Sequence, residues 1–162
     1  MEADFIGLVE ALETKGEAMT LTAGISMRPM LRQGRDIVII EPVRRKLKKN
    51  DVPVYKRPTH DKFVMHRILK VTDNGYIIRG DNLYHKEYDI KDEHIVGVLK
   101  AFYREGKYYD CATSKKYKVY IFLNRISYPL RYLWGKVIYP ACCRILPRPI
   151  KELIKKYILK IR

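Results

Sequence analysis

Cysteine is scarce in this 162-residue chain, and its number is odd. Cys111, Cys142 and Cys143 make no disulfide framework, since adjacent cysteines rarely pair, so a reducing compartment is the simpler expectation. No window reaches the ~18 uninterrupted apolar residues that mark a membrane-spanning helix. The N-terminus, Met1-Glu2-Ala3-Asp4-Phe5, is acidic. It lacks the basic start and apolar run of a secretory signal, so the expected location is cytoplasmic. His60, His85 and His94 are scattered among polar loops and a strand start, without metal-ligand spacing, and read as surface residues. Neither a metal nor a cofactor is expected. Acid is nearly missing from one part of the chain. Residues 115–162 hold thirteen Lys/Arg against the single acid Glu152, a balance of +12, whereas residues 1–114 hold twenty against seventeen. A nearly neutral body carrying a strongly basic tail predicts attraction to a polyanion.

What is present reads as a mainly β body. Phe5, Leu8, Val9 and Leu12 lie on one helix face, and Lys15-Gly16 ends that helix. Met19, Leu21 and Ala23 alternate with Thr20 and Thr22, a strand leading into Ser26. Asp36–Ile40 is a short apolar strand, and Val52–Lys56 and Phe63–Val71 are two more. Asp73-Asn74-Gly75 is a hairpin turn, because Asn-Gly tolerates the positive φ that tight hairpins require. Tyr76–Arg79 returns, Gly80-Asp81-Asn82 breaks it, and His94–Tyr103 and Lys107–Asp110 follow. Several short strands at close spacing predict a β-rich fold. The character changes near Ser114, which predicts a body over 1–114 and a tail over 115–162. Within the tail, Tyr117–Trp134 mixes aromatic and aliphatic residues with Lys and Arg. After Pro149, the residues Ile150, Leu153, Ile154, Tyr157, Ile158 and Ile161 form an apolar stripe at helical spacing, with lysines on the other side.

Two residues suggest chemistry. A serine hydroxyl is a poor nucleophile until a base takes its proton. Ser26 sits in a turn between Gly24, which permits an unusual backbone, and Pro29, which stiffens the segment. His66 is the natural base, since imidazole is mostly neutral at pH 7. Cys111 has no visible partner and reads as a small apolar residue.

The order of motifs is more specific than either residue. Gly-x-Ser-Met-x-Pro-x-Leu (Gly24–Leu31), an apolar strand (Asp36–Ile40), Val-x-His-Arg-Ile (Val64–Ile68) and Gly-Asp-Asn (Gly80–Asn82) follow one another. In this order they resemble the signal peptidase superfamily, which also includes the self-cleaving domains of LexA-like repressors. The resemblance runs from about Thr20 to Tyr103, roughly half the chain. It implies a partly closed β-sheet body, here with a short N-terminal helix and a basic α-helical C-terminal appendage. It also implies a serine endopeptidase with Ser26 as nucleophile, acting on a peptide or precursor protein bound as an added strand. Where bacterial signal peptidases and the repressors place a lysine base, this chain has His66, as in the endoplasmic reticulum and archaeal branch. Lys62 and Lys70 are out of register. Asp81 is the expected acid beside His66, with Glu87 or Asp89 as alternatives that the spacing leaves open.

Three departures accompany the resemblance. Gly24 stands where many relatives carry an oxyanion-binding serine, so backbone N–H groups are expected in that role. Gly34-Arg35-Asp36 has one residue more than the usual Gly-Asp. Only 25 residues precede Ser26, and they read as an amphipathic helix rather than an anchor or a DNA-binding domain. The basic tail then suits an anionic membrane surface, a peripheral attachment on the cytoplasmic side. Cys142-Cys143 are candidates for acylation. Nucleic acid is the less favoured polyanion, because no recognisable RNA or DNA module is present. The alternative to a peptidase is a catalytically inactive, peptidase-like, membrane-associated binding module.

Overall fold

The computed structural model describes residues 2–57, 60–138 and 140–141, and the side chains of these except 2–6 and 60–62. The chain divides into two compact units, Met1–Ile121 and Phe122–Arg162. The first is a β body with a short N-terminal helix; a second long helix begins in it and runs into the second unit. In chain order the elements are α1 (Glu2–Lys15), β1 (Ala18–Leu21), β2 (Ile37–Glu41), β3 (Pro53–Arg57), β4 (His60–Met65), β5 (Arg67–Thr72), β6 (Gly75–Arg79), β7 (Glu87–Ile90), β8 (Ile95–Arg104), β9 (Lys107–Asp110) and α2 (Lys115–Leu133). The fold is mainly β, as expected, with the larger sheet curled into a half-barrel.

That larger sheet has the order β1-β2-β8-β3-β4, with β9 added on β8, and its pairs are antiparallel. The ten-residue β8 holds it together. Its first half pairs with β3 and its second half with β2 and β9. Register shifts at Ile39/Ile40, Val54/Tyr55 and Lys56/Arg57 mark irregular steps of the kind that bend strands and increase twist. Gly97 lets β8 pack closely against β2. A Cβ there would come within 2.7 Å of the Ile40 side chain and 3.0 Å of the Glu41 carbonyl oxygen.

The smaller sheet, β5-β6-β7, differs from the sequence expectation in one way that matters for function. Phe63–Val71 reads as one strand, yet β4 ends at Met65, β5 begins at Arg67, and the two lie in different sheets. His66 is the joint. Lys62 and Lys70 therefore do not share a continuous strand with it. Nothing in the sequence pattern announces β7, because only its last residue, Ile90, is buried and no alternation betrays it.

Two apolar clusters fill the body. The larger includes Leu12, Met27, Met30, Leu31, Val38, Val54, Leu99, Phe102 and Tyr117, and the smaller includes Tyr55, Ile68, Tyr76, Ile78, Ile90 and Val98. Each fully buried aliphatic side chain contributes roughly 1.5–3 kcal/mol. Leu12 brings α1 onto the larger cluster, with Leu8 and Ala11 packed beside it. Phe5 of the expected helix face lies outside the described side chains. Gly16, at φ 72°, closes α1 in the left-handed conformation that glycine adopts without steric cost. Tyr117 is buried in the larger cluster with Tyr120 and Ile121 against it, so the first turns of α2 belong to the body and its boundary lies beyond residue 114. The expected helix over Ile150–Arg162 and the Cys142-Cys143 pair lie outside the described residues.

Candidate active site

Ser26 owes its position to its neighbours. Met27, Met30 and Leu31 are buried in the larger cluster, so the motif after the serine is a row of apolar anchors. Ile25 is exposed and Ser26 half-buried, which leaves the hydroxyl at the edge of the body. Gly24 takes φ 76°, the left-handed turn expected of it.

A polar clasp closes the loop that carries Ser26. Thr22 donates its backbone N–H to the Asp36 carbonyl (3.0 Å), and its hydroxyl to that of Arg32 (2.6 Å). Asp36 is fully buried. Its carboxylate accepts from the Arg32 backbone N–H (2.9 Å), the Arg32 guanidinium (2.9 and 3.2 Å) and Arg104 Nε (3.2 Å). Burial pushes this carboxyl up, but the Arg32 hydrogen bonds and the Arg104 charge outweigh it and hold the group below its ordinary range. Arg104 also donates to the carbonyls of Pro29 (2.5 Å) and Met30 (2.7 Å). The extra residue in Gly34-Arg35-Asp36 is taken up in this clasp, where the Gly34 N–H bonds the Thr22 carbonyl at 2.8 Å.

The second wall of the site is the turn Gly80-Asp81-Asn82. The Asn82 N–H donates to the Ser26 carbonyl (2.8 Å), and the Asn82 side chain to the Ile25 carbonyl (3.3 Å). Gly80 is required for closeness, because a Cβ there would meet the Ser26 carbonyl oxygen at 2.7 Å. Arg67 pairs with Arg79 in the β5–β6 ladder, so His66 and Gly80 are the next residues out on the two strands. The chain thus draws Ser26, Gly80 and His66 to one corner of the first unit. Among the described residues, Ser26 Oγ makes no hydrogen bond to His66.

His66 is 1% exposed. Its Nδ1 lies 3.0 Å from Glu87 Oε1 and 3.0 Å from the Tyr55 hydroxyl oxygen. Glu87 also accepts a fork from Arg57, Nε to Oε2 at 2.9 Å and a terminal nitrogen to Oε1 at 2.8 Å. Burial acts to raise the Glu87 carboxyl, yet the hydrogen bonds from His66 and Arg57 outweigh it and bring the group down to about 2. An ionised carboxylate only accepts hydrogen bonds. Nδ1 therefore carries a proton, and in the neutral ring Nε2 is the nitrogen left with the lone pair.

Asp81, the acid expected beside His66, is elsewhere. It accepts a fork from Arg67, Nε to Oδ1 at 2.8 Å and a terminal nitrogen to Oδ2 at 2.7 Å, together with the Tyr120 hydroxyl at 2.9 Å. Arg67 is itself 3% exposed and further donates to the Asn50 carbonyl (3.0 Å) and Tyr117 hydroxyl (2.9 Å), with Met30 Sδ at 2.9 Å. Burial works against its charge, but Asp81 outweighs it and keeps the guanidinium firmly protonated. His66 is the joint between β4 and β5 and Arg67 the first residue of β5, and the two neighbours take different carboxylates, Glu87 and Asp81. Asp89, the third candidate acid, is exposed with φ 56° and borders a shallow cleft near the β5–β6 turn with Asp73 and Asp92.

Sequence reasoning missed Tyr55 and Arg57. Their stretch, Val54-Tyr55-Lys56-Arg57, reads only as a strand, and nothing local marks the two as partners of a distant histidine. His85 is exposed, and His94 caps its own turn by accepting the Lys91 N–H at 3.0 Å. The side chain of His60 lies outside the described residues. Cys111 is a free thiol packed against the larger cluster, and burial pushes it up to about 12. Among the described residues no His, Cys, Asp or Glu cluster could hold a metal ion, and no helix is long and apolar enough to cross a membrane. No family model and no curated protein matches this chain.

Proposed function

We propose that this chain is a serine endopeptidase of signal-peptidase type that removes a leader or signal peptide, with Ser26 as nucleophile, His66 as base and Glu87 as the acid that orients the base. The observation that carries the reading is the hydrogen bonding of His66. An imidazole held at Nδ1 by an ionised carboxylate presents Nε2 as a proton acceptor, the tautomer that activates a serine. Ser26 Oγ attacks the scissile carbonyl carbon while its proton passes to His66 Nε2 and the carbonyl electron pair moves onto oxygen. The Ser26 N–H, which has no backbone acceptor among the described residues, supports the oxyanion. Collapse expels the amine, which takes the proton from His66, and water releases the acyl group by the same steps. Catalytic contacts tighten when substrate binds, so the Ser26–His66 bond belongs to the complex. Met19 and Leu21 on the edge strand β1 and Ile25 beside Ser26 are exposed. They suit an extended apolar peptide that adds to the sheet edge.

The test incubates purified protein with candidate precursors and reads products by mass spectrometry. Wild type cleaves and Ser26→Ala does not, with an unchanged melting temperature. Equal cleavage by both overturns the reading. The open Ser26–His66 contact and Gly24 favour a second reading, an inactive peptidase-like binding module. Peptide binding without covalent labelling of Ser26 by an acylating probe would select it.

A further inference from the structure

An open apolar face runs along α2 and the π-helical turn that continues it, Trp134–Ile138. Phe122, Ile126, Leu130, Leu133 and Val137 recur at steps of four, four, three and four residues. That spacing puts them on one face, and Trp134 borders it. All are open to solvent, Leu130 being 70% exposed, Phe122 62% and Trp134 52%. Asn124, Tyr128, Arg131 and Gly135, on another side, are buried or half-buried. The exposed stripe is therefore not the packing face of this helix. From Lys115 to Ala141 the chain carries six Lys/Arg and no acid.

We infer that this open face docks on an anionic lipid bilayer, with the helix axis parallel to the surface. The surface rests on residues apart from the proposed peptidase site and does not depend on it. An apolar stripe, a flanking set of cations and a boundary tryptophan are what a helix lying in the headgroup region needs. The stripe enters the acyl boundary, the cations meet lipid phosphates, and the indole sits between the two. Charge decides against the other occupants. A second copy would bring six like charges against six. Residues 142–162 of the same chain would bring seven Lys/Arg and one acid. Nucleic acid would answer the cations but leave the apolar stripe in water.

Trp134 is the only tryptophan in the chain, so its fluorescence reports on the stripe without a label. The full chain is titrated with phosphatidylcholine vesicles, with and without one-third phosphatidylglycerol. Anionic vesicles shift the emission to the blue and carry the protein upward in a density gradient. Neutral vesicles bind about tenfold or more weakly, and raised salt weakens the anionic binding. Leu130→Asp and Ile126→Asp change exposed positions, so the fold is retained, checked by circular dichroism, and anionic binding drops about tenfold or more. Lys136→Glu and Arg125→Glu reduce the preference for anionic lipid. The inference is overturned by no blue shift with anionic vesicles, by equal binding to both vesicle types, or by binding that Leu130→Asp leaves unchanged. Self-association that buries Trp134 without lipid also overturns it, as does tight RNA binding insensitive to Leu130→Asp with no vesicle binding.

Discussion

Two carboxylates, Asp81 and Glu87, lie six residues apart and serve two neighbours on one strand joint. Each accepts a two-pronged arginine, Asp81 from Arg67 and Glu87 from Arg57. The difference is in what else they hold. Asp81 also accepts from the Tyr120 hydroxyl, and the side chains of the Arg67–Asp81 pair are only 2–4% exposed. Glu87 has His66, and its arginine is 31% exposed. A carboxylate committed to a buried arginine is a structural tie, because it satisfies a guanidinium that burial has cut off from water. A carboxylate committed to a histidine fixes which nitrogen carries the proton. The same chemical group thus acts as a rivet in one corner and as an orienting acid in the other.

The largest expected effect separates these roles by activity. Glu87→Gln places an amide beside His66, and its N–H₂ donates to Nδ1. The ring then carries its proton on Nε2 and faces Ser26 with a donor. On the proposed mechanism kcat falls on the order of 10³–10⁴-fold, while the melting temperature drops only modestly because Arg57 remains hydrated. Steady-state kinetics on a cleaved precursor checks this. A rate within tenfold of wild type would remove Glu87 from the mechanism and erase the contrast.

Asp81→Ala is the mirror experiment. It leaves Arg67 buried and unpaired among Met30, Asn50 and Tyr117. Stripping one partner from a buried ion pair costs about 3–5 kcal/mol, read as the change in unfolding free energy in urea. Any activity remaining in the folded fraction keeps its kcat within about tenfold. Asp89→Asn, at an exposed position whose φ of 56° asparagine tolerates as aspartate does, leaves both quantities unchanged.

The two corners differ, too, in how far the amino-acid sequence discloses them. The strands, the Asn74-Gly75 hairpin and the Ser26 turn are legible because apolar spacing and turn chemistry are local. Ser26 and His66 are legible through the order of their motifs. The acid partner is not, because Asp81, Glu87 and Asp89 are all polar residues after a strand. The choice depends on which way His66 and Arg67 point. That in turn depends on the break at His66, hidden inside the run Phe63–Val71. Arg67 is visible as part of Val-x-His-Arg-Ile, but its claim on Asp81 requires Tyr117 and Tyr120, some fifty residues later.

Acid sharpens the comparison more gently. The Glu87 carboxyl stands at about 2 in the folded protein against an ordinary 4.5. A depressed folded value means that its stabilisation is complete above about pH 4.5 and fades as pH falls toward 2. After screening, the contribution is on the order of 1–2 kcal/mol. The gap in melting temperature between wild type and Glu87→Gln is therefore wider at pH 7 than at pH 3. A gap that stays constant would mean that Glu87 is not held ionised by His66 and Arg57. Asp36 shifts in the same direction but is present in both proteins, so it cancels from the difference.

The smallest effect belongs to Tyr55. Burial first, and then the Glu87 charge, push its hydroxyl well above the usual phenol range, so it stays neutral and keeps its proton. With Nδ1–H committed to Glu87, the phenol oxygen, 3.0 Å from Nδ1, faces the same ring proton as a second acceptor. Tyr55 thus braces the imidazole ring and does not choose the tautomer. Tyr55→Phe keeps the aromatic ring in the smaller apolar cluster and removes the hydroxyl beside Nδ1. The expected loss is about 1 kcal/mol, a shift in melting temperature of roughly 2–4 °C. The rate falls less than about tenfold, because Glu87 still holds Nδ1–H and Arg57 still holds Glu87. Calorimetry and kcat on the same preparation read both numbers. A rate loss matching that of Glu87→Gln would show that the phenol, not the carboxylate, sets the protonation of His66, and the distinction between the two corners would then rest on Tyr55.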